Sequence, residues 1–129
     1  MSTISFLGTK FSVRSGGHNP NTGFASVAGD GIILDLRKLN EVSPDCGDST
    51  VCIGPGSRFG DVYSTLQSSG QTVVGGRIND VGVGGYLLGG GLSHFANLYG
   101  MAADQVRSFE VSKLDIYPVW YSPCLCSSS

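Results

Sequence analysis

The chain has 129 residues, enough for one domain of the commonest size. Charged residues make up only 14% and the net charge is −2, so there is no basic footprint for nucleic acid. No stretch approaches the roughly 18 apolar residues of a membrane span, and the opening MSTISFLGTKF has neither the basic lead nor the apolar length of a secretory signal.

That opening reads as a chain beginning partway into a larger protein, with Ile4 to Leu7 left over from a helix or strand. Phe11 and Val13 then predict a short strand. It runs into VRSGGHN, Val13 to Asn19, where Gly16 and Gly17 permit backbone angles forbidden to other residues. Such a turn can aim several N–H groups at one anion, and His18 places a nucleophilic imidazole at its edge. Read alone, the segment fits a phosphate-bearing cofactor, one that could be tethered, or a plain turn with a solvated histidine.

Asn19 to Asp30 is polar, glycine-punctuated loop, and Ile32 to Leu36 predicts a strand. Asn40 to Val42 and Thr50 to Ile53 predict a hairpin around the turn Ser43 to Ser49, with Val51 and Ile53 on one face and Cys52 on the other. Cys46 and Cys52 flank that turn. They are read as free thiols, with pairing in an exported protein as the alternative. Cys124-Leu125-Cys126 lacks C-x-x-C spacing and partner ligands, so no metal site is read there.

Gly54-Pro55-Gly56 breaks the strand, and Ser57 is the expected N-cap of a helix. Phe59, Val62, Tyr63 and Leu66 recur at amphipathic spacing, with Gly70 as the natural stop. The two aromatics are read as core. Gln71 to Val74 predicts another strand, ending at Gly75-Gly76.

Glycine is over-represented, with 20 residues against a usual share of roughly 7%. It is densest from Val81 to Gly91, where six of eleven residues are glycine and the rest are large and apolar. That pattern lets a bulky ligand or a neighbouring backbone approach closely. It is not a common nucleotide signature: no G-x-x-x-x-G-K-[ST] occurs, and G-x-G-x-x-G counted from Gly82 fails at Leu87. His94, Phe95 and Tyr99 predict a helical turn ending at Gly100, with His94 read as a surface or core-edge residue. Val106 to Val111 alternates as a strand. Lys113 to Ser129 has no periodicity and no expected place in the fold.

Taken together, five ordered segments resemble the FAD-linked oxidoreductases with a PCMH-type (vanillyl-alcohol-oxidase-type) FAD-binding domain, in their fungal, berberine-bridge-enzyme-like branch. The segments are KFSVRSGGHNPN (Lys10–Asn21), ILDLRKLNEV (Ile33–Val42), GPGSRFGDVYSTL (Gly54–Leu66), TVVGGR (Thr72–Arg77) and DVGVGGYLLGGGLS…YGMAADQV (Asp80–Val106).

The resemblance implies an α+β fold: part of a PCMH-type FAD-binding domain over residues 1–111, with small mixed sheets and a few packed helices. It implies FAD as cofactor. Arg14, Ser15, Gly16, Gly17, His18 and Asn19 would wrap the diphosphate, chiefly through backbone N–H groups. His18 matches the histidine bonded to the flavin 8α-methyl carbon. Gly76, Val81, Gly82 and Gly85 match the second FAD loop, Tyr86 falls near the flavin pyrimidine ring, and Val111 would lie on the strand meeting the adenine end.

Relatives that bond the flavin twice carry a cysteine where this chain has Ile78, so one covalent link at most is expected. The resemblance also implies a small-molecule substrate, and a substrate domain beyond this stretch that supplies the catalytic base; no catalytic residue is assigned here. Residues 112–129 are expected to be a non-homologous, disordered tail, with Lys113 to Ser129 read as translated intron or frameshifted sequence. The expected function is the FAD-binding portion of a flavin-dependent oxidoreductase. The alternatives are a truncated product with weak or no FAD binding, and a glycine-rich binding module without cofactor. Compartment and oligomeric state are not legible.

Overall fold

The amphipathic segment after Gly56 folds as the helix expected, Phe59–Gln67, and its apolar face organises the molecule. In this computed structural model, which describes residues 2–27, 29–44, 49–111 and 124–126, Phe59, Val62 and Leu66 are almost wholly buried. They pack with Val51, Ile53, Val73, Val74 and Val83 into the core. Spacing of three and four residues puts these side chains on one face, and their burial makes the helix stable where its propensity alone would not.

In chain order the elements are α1 (Ser2–Leu7), β1 (Phe11–Arg14), β2 (Ile32–Asp35), β3 (Val42–Pro44), β4 (Thr50–Ile53), α2 (Phe59–Gln67), α3 (Val83–Leu88), α4 (Ala96–Tyr99), a 3-10 turn (Ala102–Gln105), β5 (Val106–Ser108) and β6 (Cys124–Cys126). β1 and β2 pair in parallel, with Phe11 opposite Ile32 and Arg14 opposite Asp35. The other strands form an antiparallel sheet in the order β3-β4-β6-β5. This is the α+β arrangement of small sheets and few helices that the resemblance implies. Among the described residues no helix is long and apolar enough to cross a membrane.

Several local expectations are corrected. Ser57 does not cap α2: Arg58 holds the cap position, and the Ser57 hydroxyl is buried without a hydrogen-bond partner. The far end behaves as expected. Gly70 is left-handed at φ 67°, its N–H donates to Gln67, and the Gln71 N–H donates to Leu66, the paired closure of a Schellman motif.

Gln71 to Val74 is not a strand. Val73 and Val74 are buried in the core cluster with α2 and do not join a ladder. Asn40 and Glu41 lie outside β3, which begins at Val42. β5 stops at Ser108, which pairs with Cys124 at the start of β6, and Val111 lies off the strand expected to carry it and is exposed.

Cys124–Cys126, inside the stretch expected to have no place in the fold, is a strand between β4 and β5. Cys52 is disulfide-bonded, which corrects its reading as a free thiol. Cys46 and most of the turn around it lie outside the described residues, as do residues 112–123 and 127–129.

Candidate cofactor site

The first glycine turn leaves β1 at Arg14, and the side chains around it show why it is held there. The Arg14 guanidinium donates to one oxygen of Asp35, from Nη2 at 2.6 Å and from Nε at 3.2 Å. Arg37 donates to the same oxygen at 2.5 Å, and its backbone N–H to the other at 3.0 Å. These donors hold the Asp35 carboxyl well below the usual carboxylate range, the Arg37 hydrogen bond contributing most and Arg14 next. Arg14 is therefore occupied by Asp35, and its aliphatic stem lies beneath the turn: a Cβ on Gly17 would stand 3.2 Å from Arg14 Cδ.

Gly17 itself is left-handed at φ 67°, which explains why glycine is needed. The Ser15 hydroxyl donates to the Pro55 carbonyl at 2.6 Å, anchoring the turn to the segment before α2. Among the described residues, the N–H groups of Gly16, Gly17 and His18 reach no backbone acceptor. His18 and Asn19 are exposed, and the Asn19 side chain accepts from the Asn21 N–H at 3.0 Å.

The second glycine loop comes directly against the first. A Cβ on Gly16 would lie 2.5 Å from the Gly82 nitrogen, and one on Gly82 would overlap the Gly16 nitrogen in turn. Two main chains meet here with no side chain between them. Gly82 also forms an isolated bridge with Arg58, the Phe59 N–H donates to Val81 at 3.1 Å, and the Val83 N–H donates to Ser57 at 2.9 Å. The start of α2 thus braces the second loop from behind.

Other expected residues differ in character. The Val81 N–H donates to Ile78 and its carbonyl accepts from Phe59, so its backbone is fully used inside the fold. Gly76 is buried beneath α2; a Cβ there would stand 2.7 Å from the Phe59 ring, and its carbonyl accepts the Tyr63 hydroxyl at 2.8 Å. Burial pushes the Tyr63 phenol up to about 12, with the neighbouring Tyr86 adding to the shift.

Gly85 faces open space. The Tyr86 ring packs edge-on to Phe59 at 4.8 Å, while its hydroxyl is buried with no hydrogen-bond partner. Burial raises the Tyr86 phenol as well, opposed by the charge of Arg77. A cavity of about 250 Å³ opens at the Gly75-Gly76 turn, lined by Gly75, Gly76, Arg77, Ser93, His94 and Phe95 among others.

The structure therefore brings Ser15, Gly16 and Gly17 together with Gly82, keeps Gly76 and Tyr86 around Phe59, and leaves Val111 apart. Sequence reasoning missed Asp35 and Arg58. Asp35 carried a faint signal, an acid two residues before Arg37. Arg58 carried none, because its partners are remote in sequence.

Unpaired amides at a glycine–glycine contact, with a buried phenol lacking a partner nearby, fit a diphosphate-bearing cofactor with further polar atoms to satisfy. The class so defined is a backbone-lined dinucleotide cradle. The chain belongs to the FAD binding domain family, whose profile matches residues 2–115.

It is 48% identical over 110 residues to the FAD-dependent monooxygenase macF of Penicillium terrestre, covering 84% of this chain and 21% of that protein. Against the FAD-dependent monooxygenase yanF of Aspergillus niger, identity is 47% over 108 residues, 84% of this chain and 19% of that one. Among solved structures, 6-hydroxy-D-nicotine oxidase of Arthrobacter nicotinovorans superposes with a TM-score of 0.84 at 34% identity, covering 94% of this chain and 26% of that one. A berberine bridge enzyme variant in complex with (S)-reticuline shares the fold, with a TM-score of 0.86 at 23% identity over 98% of this chain and 30% of that one. The chain spans about a fifth of the length of these monooxygenase relatives.

Proposed function

We propose that this chain supplies the FAD-holding part of a flavin-dependent oxidoreductase acting on a small molecule. The observation that carries the reading is the meeting of Gly16 and Gly82, backbone on backbone, beside amides that have no acceptor among the described residues. Bound FAD supplies a hydride acceptor at flavin N5 and is commonly reoxidised by dioxygen, chemistry that no side chain offers.

The residues of the chain bind and orient. The N–H groups of Gly16, Gly17 and His18 hold the diphosphate, replacing the lysines this chain lacks in the turn. The open face of Gly85 admits the ligand where a side chain would obstruct it. The Tyr86 hydroxyl, buried and unpaired, would hydrogen-bond the pyrimidine end of the flavin. The His18 imidazole would carry one covalent bond to the flavin, and Ile78, with no thiol, could not make a second of the kind a cysteine there would. No residue of this chain is assigned as the base that takes the substrate proton.

A visible absorption spectrum combined with intact-mass measurement tests the reading. Purified protein is expected to be yellow and one flavin heavier than its sequence, with colour that survives acid precipitation. His18→Ala should still bind FAD but release it in acid. A colourless, folded chain indifferent to added FAD would overturn the proposal, and colour retained by His18→Ala in acid would overturn the tether.

A further inference from the structure

Among the described residues Arg58 is a cation whose contacts reach both glycine loops, and neither its sequence context nor the FAD resemblance gives it a role. It sits at the cap position of α2 with extended backbone, φ −106° and ψ 150°. Its Nη1 donates to the Asp80 carbonyl and also to the Asp80 carboxylate at 3.0 Å. Its Nη2 reaches the Gly16 carbonyl at 3.5 Å. The guanidinium is anchored firmly on the second loop and extends a longer contact to the first.

The consequence lies in the geometry of the peptide unit. A trans peptide is planar, so its C=O and the following N–H point in opposite directions. Turning the Gly16 carbonyl toward Arg58 therefore turns the Gly17 N–H away from it, and Gly17, at φ 67°, is the left-handed residue of the turn. Successive amides turned this way form an anion-binding nest. At the other end, the Asp80 carbonyl is held by Arg58 while the Val81 N–H donates to Ile78 at 3.2 Å, so that peptide is fixed on both sides. Gly82, whose nitrogen abuts Gly16, follows directly.

We propose that Arg58 is the positioning residue of the cradle: its planar fork, fixed on the second glycine loop at Asp80, reaches the Gly16 carbonyl of the first and sets the peptide orientation that aims the Gly17 N–H at the cofactor diphosphate. This rests on the FAD-binding reading above. The role requires the fork and not the charge alone. A lysine ammonium is a compact point charge on a flexible stem and cannot reproduce the divergent donors of a guanidinium.

The test uses the untethered His18→Ala chain as parent and compares it with Arg58→Lys and Arg58→Met in the same background, by titration with FAD and with riboflavin, which has the isoalloxazine but no diphosphate, alongside the thermal midpoint of each unliganded chain. Both variants are expected to bind FAD about tenfold or more weakly, with riboflavin binding and the thermal midpoint unchanged. Full recovery of FAD affinity in Arg58→Lys would overturn positioning in favour of simple charge attraction. Equal losses for FAD and riboflavin, together with a lowered midpoint, would overturn it in favour of a purely structural contact. Unchanged FAD affinity in Arg58→Met would sink the proposal while leaving the FAD reading intact; a parent chain that binds no FAD would remove both.

Discussion

The glycine turns of this chain look alike in sequence and differ in cause. At Gly16 and Gly82 the missing side chain makes room for another main chain, and the amides left there have no acceptor among the described residues. At Gly75 and Gly76 it makes room for the Phe59 ring, and the Gly76 carbonyl is already satisfied by Tyr63. The first pair builds a surface that needs a ligand. The second completes a core. A glycine-rich sequence is therefore not a single functional signal, and substitutions should separate the two regions.

The largest effect is expected at the ring that the core pair accommodates. Phe59→Ala removes an almost fully buried aromatic and should cost about 3–5 kcal/mol of folding stability, read as a lowered urea midpoint. A loss of FAD binding with no change in that midpoint would erase the distinction drawn here. Next in size, Gly76→Ala drives a methyl against the same ring and should cost about 1–3 kcal/mol through overpacking, with FAD affinity falling only as folded protein is lost. Gly16→Ala, by contrast, should weaken FAD binding by more than its stability loss accounts for, because it parts the two cradle loops. Parallel denaturation and FAD titrations of the two variants, each in the untethered His18→Ala background, decide between these outcomes.

The smallest effect appears only on acidification. Asp35 has its folded pKa depressed by Arg37 and Arg14, so its contribution is complete above the unfolded value of about 3.9 and is lost as pH falls below it. Melting curves through this acid range should show a steeper decline for wild type than for Asp35→Asn. Identical slopes would mean that the arginine pair does not hold the base of the first turn.

What could be read from the sequence follows the range of the interactions involved. α2 was legible because its burial pattern repeats every turn, and Gly70 because a helix stop is a local event. Gln71 to Val74 was misread as a strand because its apolar run carries no record of whether a ladder or a helix covers it. The first cradle turn was visible as Gly16-Gly17-His18. Its contact with Gly82, the occupation of Arg14 by Asp35 and the reach of Arg58 all join segments remote in sequence, and a linear pattern does not encode them. β6 was missed for the same reason: Cys124–Cys126 has no strand-like alternation and owes its state to β4 and β5.

The contact between Gly16 and Gly82 also bears on how the chain acquires its cofactor. Neither loop alone presents the whole receptor, and closing so long an intervening loop carries an entropic cost that the folded core must offset. FAD can recognise only molecules in which that closure has occurred, and by mass action it draws the population toward them. Vitamin supply during synthesis would then govern how much native protein accumulates, the coenzyme serving as a folding aid before it serves in any reaction.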